Sequence, residues 1–170
     1  MTVLIVSGAI LLFVLLVYVL IKNGLISKEN QVDNAFASVD VMLKKRFDLI
    51  PQLSACVSGY MSHEKELLEK LTALRSLNQQ TDVLAKNNKE LSQAVALFSM
   101  KAEAYPDLKA SEQFLMLQRN ISEMEEQLAA ARRTYNISIQ QFNDAVLKFP
   151  SSLVASINHF TKKSYLEFND

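Results

Sequence analysis

The densest cluster of ionisable side chains is a short basic run beside an aspartate. Lys44, Lys45 and Arg46 stand next to each other, and Asp48 follows two positions later. Such a cluster could dock a protein partner or bind lipid headgroups. A simpler interpretation is surface pairing, because Asp40, Lys44 and Asp48 are four residues apart, the spacing at which opposite charges meet on a helix. We favour surface pairing and keep the docking surface as the alternative.

Two arginines further along the chain offer a second use for these carboxylates. Arg132 and Arg133 lie in a long helical pattern, and a guanidinium fork suits a carboxylate at a helix interface. Buried pairs of this kind can fix the register between helices. We therefore predict an interhelix ion pair that joins Asp40 or Asp48 to Arg132 or Arg133.

Patterns for metal binding and catalysis are incomplete. His63 and Glu64 could begin an HExxH zinc motif, but Leu67 stands where the second histidine is needed, and His159 lies near the C-terminus. A structural zinc site takes about four ligands, so we predict no metal and no cofactor. No phosphate-binding glycine loop or nucleophile elbow is readable, and we predict that the chain is not an enzyme. Cys56 is the single cysteine and is expected to be buried and inert.

The charge balance limits the partners. Lysine plus arginine and aspartate plus glutamate number 18 each, so the formal net charge is zero. A nucleic-acid binder needs an excess of positive charge to displace counterions from phosphate. We therefore expect no nucleic-acid partner.

The N-terminal segment predicts a membrane anchor. From Val3 to Ile21 the only polar side chains are those of Ser7 and Tyr18, and Lys22 is the first charge. As a helix this segment rises about 28 Å, close to the thickness of a bilayer hydrocarbon core. A cleaved signal peptide is the alternative, but the segment lacks a basic start and a small-residue cleavage site.

The sidedness of the anchor follows from charge asymmetry. No lysine or arginine precedes the span, whereas Lys22 and Lys28 follow it. The positive-inside rule then predicts that the following domain is cytoplasmic. The expected location is the cell's inner (cytoplasmic) membrane. A periplasmic or extracellular domain is the alternative.

Helical periodicity continues from Leu25 almost to the C-terminus. Apolar residues recur every three or four positions, which buries one face of each helix. Pro51 is expected to kink or restart the first helix, and the next helical pattern is expected to run on to about Gln80. A polar turn is predicted at residues 78–82, Ser111 is a predicted N-cap, and Pro150 should end the longest helix before a short one begins at Ser151.

These patterns predict an all-α fold. An N-terminal transmembrane helix is followed by an antiparallel up-and-down bundle of about four long helical segments. The predicted domains are an anchor at residues 1–22, a bundle at 23–158 and a flexible tail at 159–170.

Several short blocks of the sequence occur in a specific order. They are Asn-Gln-Val-Asp-Asn-Ala-Phe at residues 30–36, Asp-Leu-Ile-Pro at 48–51, Gly-Tyr at 59–60, Tyr-Pro-Asp-Leu-Lys-Ala at 105–110, Ala-Arg-Arg-Thr-Tyr-Asn at 131–136 and Phe-Pro at 149–150. Together they resemble the LemA family of bacterial membrane proteins, with a departure at Phe36, where tryptophan is common in the family. The resemblance implies a single-pass anchor, a four-helix bundle and no established enzymatic role.

The function expected from these features is that of a membrane-anchored scaffold. A rigid bundle tethered to the bilayer by one span would bind another membrane protein, whose identity the sequence does not give, because tethering raises the effective concentration of weak partners. The alternative is a self-assembling, membrane-shaping protein that forms homo-oligomers.

Overall fold

The computed structural model describes residues 1–77 and 84–165. Throughout these residues the regular elements are α-helices and no strand is found. This confirms the predicted all-α fold, in which a long N-terminal apolar helix is followed by a helical bundle. The helices are α1 (Thr2–Phe47), α2 (Ile50–Tyr60), α3 (Lys65–Leu77), α4 (Leu84–Ala102), α5 (Pro106–Lys109), α6 (Glu112–Leu147) and α7 (Ser151–Ile157).

Helix α1 continues well beyond the predicted anchor. It ends at Phe47, and α2 begins at Ile50 with Pro51 in its first turn. Proline is tolerated there because the first amides of a helix have no partner within the helix. Pro51 therefore marks the start of a new helix.

The predicted continuation of that helix to about Gln80 is wrong. The chain turns between Tyr60 and Lys65, where the Met61 amide donates to the Val57 carbonyl over 2.8 Å and the Glu64 amide donates to the Met61 carbonyl over 2.9 Å. Met61 is fully buried. The turn brings this side chain into the apolar core, and α2 packs against α3.

The later boundaries follow the sequence signals. The Phe114 amide donates to Ser111 Oγ over 3.2 Å, which confirms Ser111 as the cap of α6. Helix α6 ends at Leu147, shortly before Pro150, and the predicted short helix is α7. The predicted turn at residues 78–82 lies outside the described residues.

The chain divides into two compact units. The anchor unit comprises Met1–Ala37 and Arg132–Leu166, and the core unit comprises Ser38–Ala131. The core unit contains one continuous apolar cluster to which α1 to α6 all contribute. The anchor unit has two smaller clusters, one around Leu25 and one around Phe142.

Candidate functional site

The first candidate is the apolar part of α1. An 18-residue window near the N-terminus has a mean hydropathy of 3.1, and none of it is buried within the molecule. In the part of the chain that the structure describes, this is the one helix long and apolar enough to cross a bilayer. The segment from Val3 to Ile21 suggests membrane anchoring.

The basic run on α1 separates into surface residues and one buried residue. Lys44 Nζ lies 2.6 Å from Asp40 Oδ2, which confirms the predicted pairing of these two side chains. Lys45 and Asp48 are exposed. These exposed residues belong to the core unit and remain candidates for a docking surface.

Arg46 differs from its neighbours because it is only 5% exposed. Its Nη1 donates to the Asn88 side-chain oxygen on α4, and its Nη2 forms an ion pair with Glu125 on α6. Arg46 thus joins three helices of the core unit. Because Arg46 is buried, it is not part of the predicted docking surface. It forms an interhelix ion pair with Glu125 instead.

The predicted partners of Asp40 and Asp48 lie in the anchor unit. On α6, Arg132 is half-buried and Arg133 is exposed. The two arginines and the two aspartates belong to different units, so the geometry within each unit does not test a pair between them. The pair stays a prediction.

A second polar cluster in the core unit was not predicted. Glu64 Oε2 lies 2.8 Å from Lys101 Nζ, and the Tyr105 hydroxyl donates to Glu64 Oε1 over 3.2 Å. The bond from Lys101 lowers the pKa of Glu64, and the same bond raises the pKa of Lys101. Burial, followed by the bond to Glu64, raises the pKa of Tyr105.

These pKa directions indicate a structural cluster. Each shift moves its group further from titration near neutral pH, because the carboxylate stays ionised, the ammonium stays protonated and the phenol stays neutral. A general acid or base is instead tuned towards the working pH. The cluster therefore ties the turn before α3 to the end of α4.

In the anchor unit, a clasp holds the segment that follows α7. The Lys163 amide donates to Asn143 Oδ1 and the Asn143 side-chain amide donates to the Lys163 carbonyl, both over 2.9 Å. The Lys163 ammonium lies 3.2 Å from Asp33 Oδ1, 3.3 Å from Glu29 Oε1 and 5.4 Å from the centre of the Phe142 ring. We call Lys163, Asn143, Asp33, Glu29 and Phe142 the Lys163 clasp.

Charge pairing dominates at the clasp. Burial by itself would lower the pKa of Lys163, but the bonds to Asp33 and Glu29 outweigh it and raise the pKa. Of the clasp residues, Lys163 alone lies in the predicted flexible tail, and residues 166–170 are outside the described part of the chain. The sequence signal for the contact was weak, because only Phe160, which packs against Phe142, interrupts a polar stretch.

Phe36, the departure from the family pattern, also lies in the anchor unit. Its ring centre is 5.7 Å from that of Tyr135. Burial is the main cause of the raised pKa of Tyr135. The phenylalanine therefore keeps an aromatic contact between α1 and α6 at this position.

Reactive groups and metal ligands are sparse in the described residues. Cys56 is buried in the core unit, and burial raises the pKa of its thiol. Such a thiol forms little of the nucleophilic thiolate. Within residues 1–77 and 84–165, no group of three or more histidine, cysteine, aspartate or glutamate side chains is placed to hold a metal ion.

An open groove runs along the surface of the core unit between α4 and α6. Ser99 lines it from α4, and Leu115, Arg119, Glu123 and Glu126 line it from α6. The groove combines an apolar side chain with both signs of charge. This mixture is typical of surfaces that bind proteins, whereas small-molecule sites are more enclosed and apolar.

An apolar N-terminal helix joined to a small helical bundle places the chain in a class of anchored bundle proteins. A sequence model of the LemA family matches residues 35–170, and the chain belongs to the LemA family. It is similar to Protein LemA of Metamycoplasma hominis, with 32% identity over 143 residues, which is 82% of this chain. The aligned region covers 65% of that relative, so the chain spans less than two thirds of its length.

Proposed function

We propose that this protein is a non-catalytic, membrane-anchored scaffold that binds another membrane protein through its core unit. The observation that carries the proposal is the open groove between α4 and α6, which lies on a well-packed helical core. A rigid surface loses little conformational entropy on binding, so modest contacts suffice.

The groove has the composition expected of a docking surface. Leu115, which is exposed, and the half-buried Ile121 give the groove its apolar contacts. Arg119, Glu123 and Glu126 surround the apolar part with charges that a partner of complementary pattern would recognise. Tethering to the same bilayer as the partner compensates for a small contact area.

The proposed location is the inner membrane, with the core unit in the cytoplasm. Its support is the apolar helix α1 together with Lys22 and Lys28, which follow the span and favour the cytoplasmic side. The bilayer is then the first partner of the protein, through a single span.

Site-specific photo-crosslinking in living cells tests the docking surface. A photoreactive amino acid is placed at Leu115 or at Arg119 in the full-length chain, and the matched control carries it at Glu69, an exposed residue of α3. We expect discrete heteromeric products that contain a membrane protein from the groove positions and none from Glu69.

The same experiment distinguishes the alternative. If the groove positions crosslink only to other copies of this chain, the self-assembling, membrane-shaping function replaces the scaffold. If the groove positions yield no more products than Glu69, the groove is not a docking surface and the proposal fails.

A further inference from the structure

Helix α7 and the turn before it expose a row of large apolar side chains. Phe149 is 80% exposed, Leu153 59% and Ile157 67%. Leu153 and Ile157 are four residues apart and lie along one side of α7, and Phe149 stands in the turn just before the helix. We call them the α7 row. Exposed apolar side chains grouped in this way mark an interaction surface, whereas scattered ones need no explanation.

The other side of α7 is fixed to α1. Val154 and Ala155 are buried with Leu25, and Ile21 packs against the same cluster. At the end of α7 the Asn158 side-chain amide donates to the Tyr18 hydroxyl over 3.0 Å. These contacts all lie inside the anchor unit, so α7 has a defined position beside the segment of α1 from Tyr18 to Leu25.

That segment of α1 is the place where the apolar window ends. Ile21 is the last residue of the predicted span and Lys22 is the first charged residue. The eight residues from Tyr18 to Leu25 rise about 10 Å along the helix. The headgroup region of one leaflet is about 5–8 Å thick, so this segment passes through it when α1 crosses the bilayer.

Chemistry at this level of α1 also fits a membrane surface. Tyrosine and lysine side chains are enriched where hydrocarbon meets headgroups, and Tyr18 and Lys22 stand at that boundary. A short helix attached there lies at the level of the headgroups when α1 crosses the bilayer. Its exposed apolar side can then reach the acyl boundary, while its buried side packs on α1.

We propose that α7 is a second, interfacial membrane contact in which Phe149, Leu153 and Ile157 insert at the headgroup–acyl boundary of the bilayer that α1 crosses. The inference rests on the proposed anchoring by α1. The occupant of the α7 row is lipid, because the buried side of α7 packs on Tyr18, Ile21 and Leu25, where the apolar span ends. A second point of attachment would restrict the tilt and rotation of the anchor unit more than the span and its interfacial side chains do by themselves.

Tryptophan fluorescence tests the proposal directly, because the chain has no tryptophan of its own. Single variants Phe149→Trp and Ile157→Trp are placed in nanodiscs of phosphatidylcholine and phosphatidylglycerol, with plain or brominated acyl chains. Ile137→Trp is the matched control, since Ile137 is an exposed apolar residue on α6 of the same unit. Leu12→Trp marks the span itself.

We expect brominated lipid to quench Phe149→Trp and Ile157→Trp roughly twofold or more, with blue-shifted emission, as for side chains held at the acyl boundary. Ile137→Trp should stay unquenched by bromine and accessible to aqueous iodide. Far-UV circular dichroism establishes that each variant is folded. Two positions in the row are used so that the test still works if one variant misfolds.

The outcomes separate this inference from the anchoring on which it rests. If Leu12→Trp is quenched but both row variants behave like Ile137→Trp, α7 faces water and the inference is overturned while anchoring stands. If Leu12→Trp is also unquenched, anchoring fails and the inference fails with it. If the row emission is blue-shifted, insensitive to bromine and dependent on the protein-to-lipid ratio, a second copy covers the row and the lipid assignment is wrong.

Discussion

Arg46 in the core unit and Lys163 in the anchor unit are both cations held between helices, but their environments differ. Arg46 is buried in the core unit against a continuous apolar cluster, and its fork joins α1, α4 and α6. Lys163 in the anchor unit is more exposed and is held by side chains on α1 and α6, beside small apolar clusters. The core unit has one large apolar cluster, whereas the anchor unit has two small ones and, by our proposals, also contacts lipid.

The strongest test of this comparison is a cavity in the core unit. Phe98 is 1% exposed, and its ring centre lies 5.8 Å from that of Phe114. We expect Phe98→Ala to lower the free energy of unfolding by about 3–5 kcal/mol, since the lost ring leaves a cavity. Urea denaturation of the full chain in nanodiscs measures the change. Met100→Ala, at an exposed site on the same helix, is the control and should change it by about 0.5 kcal/mol or less.

The next largest effect is expected at Arg46. Arg46→Ala removes charge-assisted bonds to Asn88 and Glu125, which are worth about 1.5–3 kcal/mol to stability. We expect a loss near the middle of that range, because Glu125 is partly exposed and water can solvate its carboxylate. Lys45→Ala removes an exposed charge beside it and is the control. Equal stability of the two variants in urea would show that the buried fork contributes nothing.

The Lys163 clasp gives a smaller and more local effect. Asn143→Ala removes both hydrogen bonds to the Lys163 backbone, and a loss of about 1.4 kcal/mol would make local opening tenfold more frequent. Trypsin should then cleave after Lys162 or Lys163 about tenfold faster, provided that opening equilibrates before cleavage. Gln140→Ala, on an exposed part of α6, should leave the cleavage rate unchanged. An unchanged rate in Asn143→Ala would mean that the clasp does not hold this segment.

The smallest effect is a pH dependence at Glu64. Its pKa is lower in the folded chain than in the unfolded chain, mainly because of Lys101. The ion pair therefore stabilises the fold fully above the unfolded pKa, and this contribution disappears as the pH falls through the folded pKa. Glu64→Gln should lower the thermal midpoint at neutral pH, and the difference from the parent should vanish at acidic pH. A difference that persists unchanged at low pH would contradict an ionic role, and Glu69→Gln serves as the exposed control.

Local signals in the sequence predicted the helices better than the contacts between them. Proline and serine specify backbone geometry within a few residues, which is why Pro51, Ser111 and Pro150 marked real helix boundaries. The turn after Tyr60 was missed because Tyr60 and Leu67 are seven residues apart, so the helical spacing of apolar residues continues across it.

The polar contacts could not be predicted because their partners are distant in sequence. Arg46 stands three residues after Leu43 and so lies beside the apolar stripe, which hinted at burial. Nothing in the spacing of the chain indicated Asn88 or Glu125 as its partners. The same holds for Lys163, whose carboxylate partners on α1 are about 130 residues away in the sequence.

The burial of Cys56 has a practical consequence for locating the protein in its membrane. Because the lone native thiol is buried and poorly ionised, water-soluble maleimides should react with it slowly. A cysteine introduced at an exposed site such as Lys45 would react much faster than Cys56. Its labelling by a membrane-impermeant maleimide would then show which compartment that site faces. The wild-type chain, which should remain almost unlabelled, is thus the reference for experiments that map the sidedness of the protein.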